Sequence, residues 1–450
     1  MPTTCRSPLA AAAGPAFQIK VPSEVALIRP SRVGASELFL WADSVLNMLR
    51  KDITIGLFGF GVVGQGLHTV LERTPGLRAR IGRIGVKDRA KPRPLPPDLF
   101  TFSRHDLLDD PSLDVIVELI DDADEAYLIV TEALRRGKAV VTANKKMLAE
   151  HLGELIELQR ETGTPLLYEA AACASLPVIR NLEEYYDTDL LESVEGIING
   201  STNYILTAMH RDALSFGQAL SQAQALGFAE SNPALDVEGL DARNKLVLLL
   251  VHAFGLIVTP GELLTLGIDR LSPLATAYAR EQGYALKLVA EARRLPNGTI
   301  AAAVLPTLVK PEHELAHVHD EYNGLITQSS FADRQFFLGR GAGAFPTASA
   351  VLSDLSALTY GYRYEYKKLR QQTHLALGAA AAEVDVLVTF TAAAPDPADF
   401  SRVHEQFQSG TRGHYLTGTI GLEQLARANW LRAPGVCVVR LPGPLRPVGQ

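Results

Sequence analysis

From Ile53 onward, short apolar runs alternate with longer stretches whose apolar residues recur every three or four positions. ITIGLFGFGVVGQGLHTVLER starts as a buried strand, passes through a glycine turn and continues as a helix with apolar residues at Val63, Leu67, Val70 and Leu71. RIGRIGV (80–86), DVIVELI (114–120), AVVTAN (139–144) and PLLYEAA (165–171) repeat the strand signal. EAYLIVTEALRRGK and KKMLAEHLGELIELQRETG repeat the helical one. Buried strands alternating with amphipathic helices predict an α/β domain, a parallel sheet covered on both faces, over residues 51–175. After Leu176 the rhythm changes. LLESVEGIING reads as a longer strand, and NYILTAMHRDA, QALSQAQALG and LDARNKLVLLLVHAFG read as helices, so a second, α+β domain is expected over 176–338. GRGAGAFPTASAVLSDLSAL (339–358) is a glycine-rich turn feeding a helix that returns to the first domain and completes it through residue 362. EYKKLRQQ reads as a polar linker, and residues 375–450, with VDVLVTFTA and HYLTGTIGLEQLARANW, as a small appended α/β unit. Residues 1–50 are poorly patterned: a loose extension, or upstream sequence if translation starts at Met48. No internal repeat is visible.

Composition narrows the class. At 450 residues, 47% hydrophobic and 21% charged, the chain can bury two or three cores as a soluble protein. A net charge of −7 argues against nucleic acid or an anionic membrane as the main partner. No apolar run approaches the roughly 20 residues of a membrane span. Cys5, Cys173 and Cys437 lie far apart without metal-ligand spacing, which points to a reducing compartment and a cytoplasmic protein. The Asn199-Gly-Ser201 and Asn297-Gly-Thr299 matches to a glycosylation pattern are then chance or structural.

Candidate chemistry begins with Gly59, Gly61 and Gly64, a G-x-G-x-x-G between strand and helix, with Phe60, Val62 and Val63 completing the turn. The first glycine permits the turn, the second lets a pyrophosphate approach the backbone, and the third allows close helix packing; the helix N-terminus favours the phosphates. This context predicts a Rossmann-type dinucleotide-binding domain. At the end of the second strand, Lys87 and Arg89 would welcome the extra phosphate of NADP, whereas Asp88 would suit the ribose of NAD; the two basic residues favour NADP. TANKK puts Lys145 at the carboxyl end of a strand, where open α/β sheets bind ligands. YEAAACASLPVI is a small-residue turn with one acid, Glu169, readable as tight packing or as a carbonyl site for a monovalent cation.

GFAESNPALDVEGLDARNK packs Glu230, Asp236, Glu238 and Asp241 before Lys245. Asp241 and Lys245 are one helical turn apart, a spacing that also fits an ordinary stabilising pair. The apolar LVLLLVHAFG that follows places this turn against a core, where the acids could grip an ammonium group and leave Lys245 facing a reacting oxygen.

GLFGFGVVGQG, DVIVELI, VVTANK, GIINGSTNYIL, GFAESNPALDVEGLDARNK and GAGAFPTASAVLSDL, in this order over about two thirds of the chain, resemble the homoserine dehydrogenase family. The resemblance implies reversible conversion of L-homoserine and NAD(P)+ into L-aspartate 4-semialdehyde and NAD(P)H, in threonine and methionine synthesis. It implies Lys245 as acid/base, Lys145 at nicotinamide and substrate, and Glu230 and Asp241 holding homoserine; Asp236, among the acids read above as able to grip an ammonium, is counted with them as substrate-binding. Gly227, Gly341 and Gly343 would approach the cofactor from the second domain. Glu169, with the carbonyls of Ala172, Ala174 and Leu176, would match a sodium or potassium site. A homodimer through the second domain is also implied. Three departures stand out: Asn232 replaces the usual aspartate before proline, Cys173-Ala174-Ser175 replaces a common Gly-Gly, and Asp121-Asp122 stands where glycines are common. The final residues lack a clear ACT signature, though their pattern is compatible with a degenerate ACT-like unit. A cofactor-sensing scaffold would not need Lys245, and an aspartate dehydrogenase would not need the whole NGSTNYIL-to-Lys245 block.

Overall fold

The first apolar run forms β1 (Ile53–Phe58), buried along its length. A central strand of a doubly covered sheet buries both faces, so it carries no polar alternation. The chain continues through α1 (Val62–Arg73), β2 (Ala79–Gly85), β3 (Phe100–Thr101), β4 (Val115–Glu118), α2 (Ala123–Arg135), β5 (Ala139–Thr142), α3 (Lys145–Thr162) and β6 (Leu166–Leu167). The strands lie in the order β3-β2-β1-β4-β5-β6, every adjacent pair parallel. The order reverses between β1 and β4, which opens a crevice at their carboxyl ends. Side chains cap the helices that start there: Asp122 accepts the Glu125 N–H at α2, and Asn144 accepts the Met147 N–H at α3. Asp122, one of the departures from glycine, therefore has a capping role.

This computed structural model describes residues 52–187, 190–371, 375–409 and 413–449. The segment 1–50, with its Met48 alternative, lies outside the described residues.

α4 (Glu169–Cys173) leads out of the parallel sheet into β7 (Leu191–Ile197), α5 (Gly200–Arg211), α6 (Phe216–Ala225), α7 (Ala234–Val237) and α8 (Leu240–Phe254). Then follow β8 (Leu264–Thr265), α9 (Pro273–Glu281), β9 (Ala285–Arg294), β10 (Ile300–Val309), β11 (Tyr322–Ser329) and β12 (Asp333–Arg340). β12, β11, β7, β9 and β10 are neighbours in a second, antiparallel stretch of sheet. Leu288, Ala290 and Ala292 of β9 share a core with Leu246, Leu249 and Leu250 of α8. α10 (Ala344–Leu358) returns to the first sheet and packs on α1. Their approach is close: a Cβ on Gly66 would lie 2.6 Å from the Ala344 carbonyl oxygen.

One expectation needs correction. EYKKLRQQ is not a solvated linker. It contributes α11 (Lys367–Gln371), with Tyr366 and Lys368 buried and the Lys368 ammonium donating to the carbonyls of Leu182 and His252. The C-terminal portion is joined to the second sheet. β13 (Ala382–Phe390), β14 (Arg402–Ser409), β15 (Gly413–Gly421), α12 (Leu422–Arg427), β16 (Cys437–Arg440) and β17 (Arg446–Pro447) extend the second sheet through a parallel β10–β16 pairing. Ala301, Ala303 and Leu305 of β10 lie in one apolar core with Val384, Val386, Val388 and Ile420.

Candidate active site

At the end of β1, Gly59 turns the chain at φ +91°, and a Cβ there would lie 2.5 Å from the Leu119 carbonyl oxygen at the exit of β4. A Cβ on Gly64 would lie 2.4 Å from the Gly59 carbonyl oxygen. Gly61 differs, because its added Cβ would meet no atom within 4 Å. The protein's own packing does not demand glycine there. The open space beside it, at the start of α1, is where a pyrophosphate would approach the backbone. Phe60 is buried edge-on against Phe100 and His68, so it props the turn from behind, while Val62 is exposed. Lys87 and Arg89 are exposed past the end of β2, with the Arg89 guanidinium 4.5 Å from the Phe102 ring centroid. The Asp88 carboxylate is turned back to accept the Ala90 N–H at 2.8 Å.

A charged cluster forms where the two lobes meet. Lys145 opens α3 at the carboxyl end of β5, and its Nζ lies 3.2 Å from Asp241 Oδ1. Lys245 Nζ lies 2.8 Å from Asp241 Oδ2 and donates to the Ile198 carbonyl at 2.8 Å. One carboxylate thus joins a lysine of the dinucleotide lobe to a lysine of the second domain. Asn199 Nδ2 donates to Asp236 Oδ1 at 2.7 Å and to Asp241 Oδ2 at 2.9 Å. Asp241 and Lys245 are buried, whereas the Lys145 side chain is 43% exposed. Lys245 therefore does not point into bulk solvent. Glu230 is exposed at the rim and Gly227 turns at φ +78° with open space beside it.

The charges reinforce one another. Burial would raise the Asp241 carboxyl, but Lys245 and Lys145 hold it well below the ordinary carboxylate range. The Asp241 charge in turn raises Lys145 above the usual lysine value against the effect of burial, with smaller contributions from Asp236 and Glu230. Asp236 is raised, first by burial and then by the negative charge of Asp241. The cluster can hold two ammonium groups in fixed positions while presenting acids to a third.

The turn after α4 departs from helix geometry at the expected carbonyls. Leu176 N–H bonds the Cys173 carbonyl instead of Ala172, and Ser175 N–H bonds the Arg340 carbonyl. Ala174 sits at φ +47°, a conformation glycine adopts more freely. Both carboxylate oxygens of Glu169 accept backbone N–H groups, from Ile179 and Arg180, each at 2.9 Å. Among the described residues no group of three or more His, Cys, Asp or Glu could hold a metal ion. A cation here would depend on backbone carbonyls. A Cβ on Gly341 would lie 2.2 Å from the Asn323 side-chain amide, which would have to shift to admit it, while Gly343 is exposed at φ +122° before α10.

Two features were given no role in the site from sequence. Asn199 is one, read only as part of the GIINGSTNYIL motif and as a chance match to a glycosylation pattern. The other is Glu118, fully buried at the end of β4, where it accepts the Ile120 N–H and the Thr142 hydroxyl; Thr142 in turn accepts the Asn144 N–H, just before Lys145. Burial pushes the Glu118 carboxyl up to about 7. A lone glutamate inside DVIVELI was its signal. A cavity of about 490 Å³, lined by Glu195, Arg293, His313, Arg334 and Arg440, lies on the other side of β9 from α8. Its charges pair locally, Arg334 with Glu195 and Glu314, and Arg440 with Glu291, so it does not compete as the reaction site.

Residues 59–169 match the model of the homoserine dehydrogenase NAD binding domain, and residues 177–356 match that of homoserine dehydrogenase. The chain is 35% identical to homoserine dehydrogenase of Bacillus subtilis over 322 residues, 70% of this chain and 74% of that one. The crystal structure of a homoserine dehydrogenase from Thiobacillus denitrificans is similar with a TM-score of 0.76 at 31% identity, covering 87% of this chain and 98% of that one. A homoserine dehydrogenase structure from S. aureus gives 0.67 at 28% identity, covering 88% and 100%. With the glycine cradle and the lysine–aspartate–lysine cluster at the carboxyl edge of its first sheet, the chain belongs to the homoserine dehydrogenase family.

Proposed function

We propose that Lys245 exchanges the proton at the substrate's C4 oxygen in the family's reaction, the reversible interconversion of L-homoserine and L-aspartate 4-semialdehyde that serves threonine and methionine biosynthesis. The observation that carries this reading is the Asp241 carboxylate between Lys245 and Lys145, 2.8 Å from one and 3.2 Å from the other. A nicotinamide bound at the glycine cradle supplies the hydride acceptor or donor. Lys245, fixed by Asp241 and the Ile198 carbonyl, gives a proton to the oxygen during aldehyde reduction and takes it back during alcohol oxidation. Lys145 lies between nicotinamide and substrate and helps orient the oxygen. Asp236 and Glu230 receive the substrate's α-ammonium, with Asp241 behind them, while Gly227 and Gly343 allow close approach of the cofactor.

The cofactor is NADP: Lys87 and Arg89 are presented past β2, and the nearest acid is turned into its own loop. The turn from Glu169 to Leu176 holds sodium or potassium through the carbonyls of Ala172, Ala174 and Leu176, with Glu169 fixing the turn against Ile179 and Arg180. The protein acts as a cytoplasmic homodimer joined through its second domain, a reading supported by exposed Phe331, Phe336 and Leu338 along the β11–β12 hairpin and by buried free thiols at Cys173 and Cys437. Among the described residues no helix is long and apolar enough to cross a membrane.

The experiment is to supply L-homoserine with NADP+ or NAD+ and follow the reduced nicotinamide. Oxidation is expected with a lower KM for NADP+. Addition of sodium or potassium to ion-depleted protein at constant ionic strength should raise the rate. Oxidation that prefers NAD+ would remove Lys87 and Arg89 from their role, and indifference to both ions would remove the cation.

A further inference from the structure

Two acids of the site share one hydrogen-bond donor, and the charge of one acts on the other. Asp236 and Asp241 each place an oxygen within hydrogen-bond distance of the same nitrogen, Asn199 Nδ2. Asn199 is buried where β7 runs into α5. The orientation of its amide is fixed independently of the acids. Its Oδ1 accepts the Thr202 N–H and the Thr202 hydroxyl, both at 2.8 Å, and a backbone N–H can only donate. The amide NH2 therefore faces the carboxylates, with one hydrogen available for each.

Neighbouring residues of the same turn anchor the rest of the cluster. The Ile198 carbonyl holds Lys245. Gly200 lets the turn pass the Glu321 backbone, since a Cβ would sit 2.6 Å from that carbonyl oxygen. The Ser201 hydroxyl donates to the Phe228 carbonyl at 2.6 Å, which ties down the loop that carries Glu230.

We propose that Asn199 is a positioning residue of the reaction, whose amide spans Asp236 and Asp241 and keeps both acids charged and aimed, the first at the substrate's ammonium and the second at the two lysines. The proposal rests on the site reading above and deepens it. Two ionised carboxylates sharing a buried site normally resist full ionisation. A neutral double donor between them offsets this without adding charge. Aspartate at this position would add a third acid. The groups that would face it are Asp236 on α7, Asp241 and Lys245 on α8, Lys145 on α3, Glu230 at the rim and the buried thiol of Cys173 after Glu169.

The test uses Asn199→Asp and Asn199→Ser in the full chain, assayed for L-aspartate 4-semialdehyde reduction from about pH 9 down to about pH 6. Both replacements remain good helix caps, so both should fold. Asn199→Asp should lose at least about tenfold in kcat/KM at the alkaline end, mainly through KM, and the deficit should shrink as pH falls and the added carboxyl regains a proton to donate. Asn199→Ser should show a smaller loss without that pH trend. If both variants follow the wild-type pH profile and KM, Asn199 is only a cap and the proposal fails. Failure of the wild-type protein to act on the substrate would instead overturn the site reading on which it rests.

Discussion

At the scale of single residues, glycines with similar sequence signatures carry different physics. Gly64→Ala forces a Cβ against the Gly59 carbonyl and should cost about 1–3 kcal/mol of stability, read by chemical denaturation. Gly61→Ala meets nothing in the protein, so stability should stay within about 0.5 kcal/mol while cofactor affinity falls at least tenfold or so. Equal effects of both on stability would remove the reason for assigning the open space to a pyrophosphate. Glu118 permits a test through pH. An acid whose folded pKa, about 7, lies above its ordinary 4.5 binds its proton more tightly when folded, so its stabilising contribution is full below about 4.5 and fades as pH rises through 7. Glu118→Gln should therefore be more stable than wild type at about pH 8, by roughly 1–3 kcal/mol, and should lose that advantage near about pH 5. An advantage that does not change with pH would show that Glu118 is not the titrating group.

At the scale of elements, α8 carries the site at one end and a buried anchor at the other. Asp241 and Lys245 occupy its first turns, while His252, fully buried, bridges Glu183 Oε2 and the Tyr168 hydroxyl, each at 2.8 Å. His252→Leu would remove one buried hydrogen bond from each partner, leaving Glu183 Oε2 without its imidazole, and should destabilise the fold by about 2–4 kcal/mol, measured by denaturant titration. A loss below about 0.5 kcal/mol would mean that water or repacking replaces the histidine. The strands and helices around these residues were legible from periodicity, and the glycine turn was legible because strand, glycines and helix came in sequence. The bridging amide was not: nothing local to Asn199 reveals that residues 236 and 241 fold back onto it. The linker reading of EYKKLRQQ failed for a related reason. Lys368 is buried because carbonyls from two distant elements receive its ammonium, and composition does not encode those partners.

At the scale of the whole molecule, the C-terminal strands belong to the fold of the second domain. Removing residues 375–450 would uncover Ala301, Ala303 and Leu305 on β10, so the truncated chain should melt earlier or aggregate, as thermal unfolding would report. A truncated protein with wild-type melting would show that the two portions are independent. Sequence pattern showed an appended unit but not how it is joined, because the Thr307–Arg440 pairing and the Ile300–Leu377 bridge leave no periodic signature. The meeting of the two lobes at Lys145, Asp241 and Lys245 is equally non-local. The most direct test is the turnover number of Lys245→Ala for L-homoserine oxidation, measured beside its affinity for the nicotinamide cofactor. Turnover should fall by roughly a hundredfold or more with cofactor affinity retained. Turnover equal to wild type would contradict the role given to Lys245.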